Sequence, residues 1–120
     1  RRRLYISADL KLWKWESRQL SEVTTLKDQF GQTKVRSVAL DPTDPSIVYL
    51  GSAANLYCSS VSVQRSLNGG ATWTSLTLNR PLASGQKDGG REAITVRVHP
   101  KTRRLYVSTS CYGIWTYPPP

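Results

Sequence analysis

Two carboxylates, Asp88 and Glu92, lie four residues apart in a long glycine-rich stretch that covers residues 79–92. Glycoside hydrolysis uses a pair of carboxyl groups, one as the general acid and the other as the nucleophile or base. In a basic segment such carboxylates are more often solvated, or paired with cations such as Lys87 and Arg91. Both interpretations stay open, so Asp88 and Glu92 are candidate catalytic residues and the sequence identifies no complete catalytic pair.

Other catalytic and metal-binding patterns do not occur in the sequence. No Gly-x-Ser-x-Gly segment marks a serine nucleophile, and no Gly-Lys-Ser/Thr follows Gly89 and Gly90 to complete a phosphate-binding loop. One histidine and two cysteines are too few for an ordinary zinc site. We therefore predict no metal ion and no cofactor, and we interpret His99, which precedes a proline, as a turn residue.

Internal repeats indicate the elements that position these residues. The pattern Arg-Arg-Leu-Tyr-Ile-Ser at residues 2–7 returns as Arg-Arg-Leu-Tyr-Val-Ser at 103–108 and as Ile-Val-Tyr-Leu-Gly-Ser at 47–52. A second repeated segment, which ends in proline, occupies residues 38–42 and 96–100. β-branched residues alternate with polar ones in these segments, which is typical of strands. Since no long window shows helical periodicity with caps, we predict an all-β chain.

The repeats predict units of up to four antiparallel strands. In the middle and last units, a strand and a turn rich in Asp, Pro or His precede the Val-Tyr or Leu-Tyr strand, whereas the first unit begins at that strand and lacks the innermost one. The predicted strands are 4–7, 11–16 and 20–26 in the first unit, 35–40, 47–52, 61–66 and 72–78 in the middle unit, and 93–98, 105–109 and 113–117 in the last.

Residues 66–73, Ser-Leu-Asn-Gly-Gly-Ala-Thr-Trp, resemble the Asp-box, Ser-x-Asp-x-Gly-x-Thr-Trp. This box is the turn signature of β-propellers in secreted xyloglucan-degrading glycosidases, sialidases, sortilin-type proteins and photosystem assembly factors. The resemblance covers nearly the whole chain, with Asn in place of the usual Asp and residues 53–62 inserted before the third strand. It implies a structural turn in which the side chain of the third position satisfies backbone N–H groups and the tryptophan packs between blades. The box positions are Ser66, Asn68, Gly70, Thr72 and Trp73.

The resemblance implies a β-propeller segment of about two four-stranded antiparallel blades, part of a larger or oligomeric propeller, because closure takes about four to eight blades. We expect a partial blade over 1–34, a complete blade with the box over 35–79, and an inter-blade loop with a partial final blade over 80–120. Further blades would come from the same parent chain or from other copies. Since the sequence begins inside a predicted strand, we expect a piece of a longer protein or a chain cut after basic residues.

In such a propeller the ligand face lies at the end opposite to the box. Residues 53–60, 79–92 and 110–113 are expected to emerge together there. The candidate ligand-binding residues on this rim are Tyr112, Arg80, Lys87 and Arg91, with Asp88 and Glu92 as further contacts.

Aromatic side chains elsewhere have two interpretations. Alternation puts Trp13 and Trp15 on the same side of a strand. They could stack on sugar rings, or they could pack between blades together with Trp115 and Tyr117.

Cys58 and Cys111 would occupy equivalent loops of adjacent blades, so the resemblance makes a disulfide between them a reasonable expectation. Such a bond would place the protein in an oxidising compartment. The alternative is two separate buried thiols in a reducing cell.

The charge balance favours an acidic partner, such as nucleic acid or an anionic polysaccharide. The chain carries 17 Lys and Arg residues against 8 Asp and Glu, a net charge of +9. These basic residues are scattered, which does not favour a nucleic-acid surface, and no apolar run is long enough for a membrane-spanning helix. With the resemblance, we expect a secreted or extracytoplasmic segment for carbohydrate recognition or scaffolding in a polysaccharide-acting protein. The alternatives are part of an active glycoside hydrolase and a protein-binding propeller scaffold.

Overall fold

The computed structural model describes residues 3–8, 11–26, 35–52, 63–76, 93–109 and 114–120. All regular structure in these ranges is antiparallel β-structure, which confirms the all-β prediction. The described residues include no helix that could span a membrane. The strands are β1 (Arg3–Ala8), β2 (Lys11–Glu16), β3 (Gln19–Glu22), β4 (Val35–Leu40), β5 (Val48–Ser52), β6 (Val63–Ser66), β7 (Thr74–Ser75), β8 (Ala93–Val98), β9 (Leu105–Thr109) and β10 (Ile114–Tyr117).

The ten strands form three sheets that follow one another along the chain. The first sheet has the order β1-β2-β3, the middle sheet β4-β5-β6-β7, and the last sheet β8-β9-β10. Within each sheet, consecutive strands are neighbours and run antiparallel. Each sheet is therefore a simple meander, which is the arrangement that the repeats predict.

Two apolar cores hold the three sheets together, one on each face of the middle sheet. The side-chain period of two in a strand sends Val48 and Leu50 to one face of β5 and Tyr49 to the other, and all three are fully buried. The first core joins the first and middle sheets and contains Tyr5, Leu12, Val35, Val48 and Leu50. The second core joins the middle and last sheets and contains Ile47, Tyr49, Val63, Leu76, Val96, Leu105, Val107 and Trp115.

The strands begin and end close to the predicted residues, except for β3 and β7. The strand expected at 72–78 is the two-residue β7, Thr74–Ser75, and residues 77–78 lie outside the described residues. The strand expected at 20–26 is the short, exposed β3, Gln19–Glu22. A two-residue hairpin between β2 and β3, in which Ser17 and Arg18 have φ of 54° and 62°, sets the beginning of β3 at Gln19. Positive φ at both central residues matches the twist of paired strands. Because neither residue is Gly or Asn, the sequence carries no signal for this turn.

The buried run in β5 gives a test of the two-core arrangement. Leu50→Ala should lower the free energy of unfolding by about 2–5 kcal/mol, since it leaves a cavity in the first core. Leu20→Ala is the matched control, because Leu20 is 54% exposed on β3, and it should change the stability by no more than about 0.5 kcal/mol. Urea denaturation followed by tryptophan fluorescence measures both, and equal losses in the two variants would contradict the arrangement.

Candidate functional site

The ligand-face residues predicted from the sequence lie outside the described residues. These are Arg80, Lys87, Asp88, Arg91, Glu92 and Tyr112, and the same holds for Cys58 and Cys111. The structure does describe the strand ends that border their segments, namely Ser52 and Val63, Leu76 and Ala93, and Thr109 and Ile114. Because neighbouring strands are antiparallel, these strand ends lie at the end of the sheets opposite to the turns at 41–47, 67–73 and 99–104.

The turn at 66–73 is held by a closed set of side-chain hydrogen bonds. The buried Ser66 Oγ accepts the N–H groups of Gly70 at 2.8 Å and Asn68 at 3.3 Å, and its hydroxyl donates to Asn68 Oδ1 at 2.8 Å. Asn68 Oδ1 also accepts the N–H of Thr72 at 2.9 Å, while Asn68 Nδ2 donates to Thr72 Oγ1 at 2.8 Å. Both the oxygen and the nitrogen of the Asn68 amide therefore make hydrogen bonds within the turn, which explains how an asparagine side chain can stabilise it.

The same turn touches both neighbouring parts of the fold. Gly69 donates its N–H to the carbonyl of Ser46 at 2.8 Å, and its own carbonyl accepts the Tyr5 hydroxyl at 2.8 Å. A side chain at Gly69 would strain a φ of +70° and would meet the Arg3 guanidinium at 2.8 Å. Trp73 packs against the first core and donates its indole N–H to Gly70 O at 3.1 Å. The 66–73 turn thus links the first sheet to the β4–β5 turn of the middle sheet.

An ion pair between the buried Asp41 and the partly exposed Arg103 joins the middle sheet to the last sheet at this end. The Asp41 side chain is fully buried, and its Oδ2 lies 2.9 Å from both Nε and a terminal nitrogen of Arg103. Asp41 Oδ1 accepts the Thr43 N–H and hydroxyl, both at 2.8 Å, and the Asp44 N–H at 3.2 Å. Burial alone would raise the pKa of Asp41, but the hydrogen bonds from Arg103 and Thr43 outweigh it and lower this pKa from 3.8 to about 2.

His99 takes the place of Asp41 in the equivalent turn of the last sheet. Its Nδ1 accepts the N–H groups of Lys101 and Thr102, both at 3.1 Å. Asp41 Oδ1 likewise accepts the N–H groups of the residues two and three positions further along the chain. The imidazole therefore carries its proton on Nε2 when it stabilises the turn. His99 has a turn-forming function here, and the residue is exposed at the surface.

A groove lies between the beginning of β1 and the β4–β5 turn. We call it the β1 groove. It has a volume of about 760 Å³, and the residues that line it include Leu4, Tyr5, Trp15, Leu40, Asp44 and Pro45.

The wall of the β1 groove continues onto an exposed apolar row. Leu4 pairs with Trp15 and Trp15 pairs with Leu20 across the first sheet, and these side chains are 55%, 45% and 54% exposed. By contrast Trp115 is buried in the second core. Trp115 therefore packs between sheets, as one of the two interpretations of the aromatic residues predicts, whereas Trp15 is partly exposed to solvent.

No metal site is formed by the described residues, since no three His, Cys, Asp or Glu side chains come together among them. The polar groups at the turn end are used by the turns themselves. Asp44, for example, accepts both the N–H and the hydroxyl of Ser46. These polar groups therefore stabilise the turns, and the Asp41–Arg103 pair also connects the middle and last sheets.

The comparisons with known proteins bear on the fold. No protein-family model matches the chain, and no curated protein matches it in sequence. Among solved structures, the chain is similar to the crystal structure of the GH74 xyloglucanase from Xanthomonas campestris, with a TM-score of 0.62 and 17% sequence identity. The match covers 88% of this chain and 16% of that enzyme's chain. At this identity the likeness concerns the fold alone, and it supports a propeller-like relationship.

The Asp41–Arg103 pair predicts how stability depends on pH. The folded-state pKa of Asp41 lies below its unfolded value, so this contribution is complete above about pH 4 and is lost as the pH falls toward 2. Asp41→Asn should remove up to about 2 kcal/mol of stability at neutral pH and flatten the pH dependence between pH 4 and 2. Glu22→Gln, which alters an exposed ion pair of 3.9 Å with Lys11, is the control. Denaturation curves across this pH range measure the effect, and an Asp41→Asn curve parallel to the wild-type curve would contradict it.

Proposed function

We propose that this chain is a segment of a secreted Asp-box β-propeller that serves carbohydrate recognition or scaffolding in a polysaccharide-acting protein. The observation that carries the proposal is the fold similarity to a xyloglucanase over 88% of the chain. That enzyme acts on a polysaccharide, and a chain spanning 16% of its length corresponds to a few neighbouring sheets of such a protein. The substrate class of the relative is the reason to test glycans first.

The 66–73 turn supports the Asp-box part of the proposal. Its first, third and seventh positions, Ser66, Asn68 and Thr72, exchange the hydrogen bonds that close the turn. These are the positions at which the box specifies its polar residues. Under the proposal the box is structural, and the division into 1–34, 35–79 and 80–120 corresponds to a partial blade, the complete blade with the box, and a linking loop with a partial last blade.

The repeat itself argues for further blades beyond those described. Tyr5, Tyr49 and Tyr106 occupy equivalent positions in β1, β5 and β9. Tyr5 and Tyr49 are buried between sheets, whereas Tyr106 is 39% exposed on the outer face of the last sheet. The outer face of the first sheet carries the exposed Leu4, whose equivalent Leu105 is fully buried. We propose that blades from the same parent chain or from other copies cover these two faces.

The proposed ligand face is the end of the sheets opposite to the box. Tyr112 would stack on the apolar face of a sugar ring, while Arg80, Lys87 and Arg91 would donate hydrogen bonds to hydroxyl or carboxylate groups. We also propose a Cys58–Cys111 disulfide that ties two of the bordering segments together in an oxidising compartment. Asp88 and Glu92 are further contacts, or the catalytic acids if the segment is part of an active hydrolase.

Binding to xyloglucan and to a glycan array tests the proposal. We expect retention on a neutral or anionic glycan, and Tyr112→Ala should weaken it about tenfold through the loss of stacking. Tyr106→Ala is the matched control, since Tyr106 is an exposed tyrosine on a sheet face and should leave binding unchanged. An absence of retention on every glycan would contradict the proposal and favour a protein-binding scaffold.

A hydrolysis assay on the same polysaccharides separates recognition from catalysis. Binding without product supports the proposal as stated. Product formation that Asp88→Ala or Glu92→Ala abolishes would instead establish the glycoside hydrolase alternative.

A further inference from the structure

The 66–73 turn contains the one Asn-Gly pair of the sequence, Asn68-Gly69. Asparagine is a heat-labile residue, because the backbone nitrogen of the next residue can attack its side-chain carbon Cγ and release the amide as ammonia. A following glycine favours the attack, since it has no Cβ to obstruct the approach. The other two asparagines, Asn55 and Asn79, precede leucine and arginine. Asn68 is therefore the asparagine at which the sequence most favours deamidation.

The fold restrains the nitrogen that would attack. Asn68 is exposed to water, whereas Gly69 is buried, and the Gly69 N–H donates to the Ser46 carbonyl at 2.8 Å. The nitrogen has to lose this proton in order to react, and it would then face the Ser46 carbonyl oxygen without a hydrogen bond. The Tyr5 hydroxyl, which donates to Gly69 O at 2.8 Å, fixes the same residue from the first sheet. The closed turn therefore disfavours the attack.

The fold also restrains the amide that would leave. Asn68 Nδ2, the nitrogen lost as ammonia, donates to Thr72 Oγ1 at 2.8 Å. Asn68 Oδ1 accepts the Thr72 N–H at 2.9 Å and the Ser66 hydroxyl at 2.8 Å. Both reacting groups are thus held by hydrogen bonds that belong to the turn, so the reaction needs the turn to open. Local openings of this kind occur without unfolding of the whole chain.

We propose that Asn68 is a deamidation site controlled by local opening of the 66–73 turn, and that the aspartate product closes the turn again. In the open turn the Gly69 nitrogen loses its proton to the solvent and bonds to Asn68 Cγ. The Cγ–Nδ2 bond then breaks, and the amide leaves as ammonia after it takes up a proton. Water opens the resulting succinimide at either carbonyl, which gives aspartate or isoaspartate. The reaction consumes only water, and it does not depend on carbohydrate recognition.

The Thr72 hydroxyl explains why aspartate fits the closed turn. A threonine hydroxyl both donates and accepts, so it can accept from the Asn68 amide and, after rotation, donate to a carboxylate. The Ser66 hydroxyl and the Thr72 N–H are donors in either case, and hydrogen bonds to a charged acceptor are the stronger ones. Isoaspartate lengthens the main chain by one carbon and displaces the carboxylate. The closed turn therefore accommodates aspartate and excludes isoaspartate.

Deamidation of the full chain at mildly alkaline pH tests the control by the turn. Peptide mapping by mass spectrometry measures the loss of the Asn68 amide in the folded protein and in the urea-unfolded protein. We expect a measurable loss in the folded protein that is at least about tenfold slower than in the unfolded one. Urea below the unfolding transition should leave the folded-state rate unchanged. Equal rates, a rate that rises with global unfolding, or no loss from the folded protein would overturn the proposal.

Two pairs of variants test which contacts hold the turn closed. Tyr5→Phe removes the hydroxyl bound to Gly69 O and keeps the ring, so deamidation of the folded protein should be about tenfold faster. Tyr106→Phe, the same change at an exposed tyrosine, should have no effect. Thr72→Ala should be about three- to tenfold faster, whereas Thr72→Ser keeps the hydroxyl and should match the wild type. Thermal denaturation identifies the variants that fold, and wild-type rates in folded Tyr5→Phe or Thr72→Ala would overturn the control.

The product is tested by making it directly. Asn68→Asp should unfold at the same temperature as the wild type or at a higher one, because the aspartate keeps the hydrogen bonds of the turn. Asn68→Ala loses them and should unfold at a lower temperature. In the aged protein, ion-exchange chromatography separates the deamidated molecules, whose net charge is lower by one, and peptide mapping distinguishes aspartate from isoaspartate. A lower unfolding temperature for Asn68→Asp, or equal stability of the isoaspartate form, would overturn the proposed closure.

Discussion

The burial of β5 on both faces is the constraint on which the described structure depends. Val48, Tyr49 and Leu50 are consecutive and fully buried. A strand can bury consecutive residues only when apolar layers lie on both sides of its sheet. The first sheet supplies one layer through Tyr5 and Leu12, and the last sheet supplies the other. Removing either neighbour would expose one face of β5, so the middle sheet is incomplete without the other two.

Polar contacts at the turn end connect the sheets in addition to the two apolar cores. The Asp41–Arg103 pair connects the β4–β5 and β8–β9 turns, and the Tyr5 hydroxyl reaches Gly69 in the β6–β7 turn. The buried amide of Gln64 has a similar function, since it both accepts from and donates to the backbone of Leu26. Each of these buried polar groups has its partner in another sheet or segment, which makes the stacking specific as well as stable.

The sequence predicts some strands to the residue and others only approximately. β4, β8 and β9 begin and end at the predicted residues, because their patterns are repeated along the chain. β3 was misplaced because all of its residues are exposed, and strand alternation is visible only when one face is buried. The Ser17–Arg18 hairpin is missed because its positive φ angles occur at residues that seldom adopt them.

Contacts between turns were beyond prediction for a different reason. Asp41 and Arg103 are 62 residues apart, and their pairing depends on how two sheets stack rather than on any local pattern. The β1 groove is similar, since its two walls come from residues 3–15 and 40–46, which are separate in the sequence. Such features require the three-dimensional arrangement, whereas the repeat that underlies them is visible in the sequence.

Native-state hydrogen exchange of the β5 amides tests the central claim most directly. If β5 lies between two apolar layers, its amides should exchange only through the global unfolding of the chain, more slowly than those of the exposed β3. Exchange of Val48, Tyr49 and Leu50 amides as fast as that of Leu20 and Ser21 would contradict the account, because β5 would then be no more protected than an exposed edge strand.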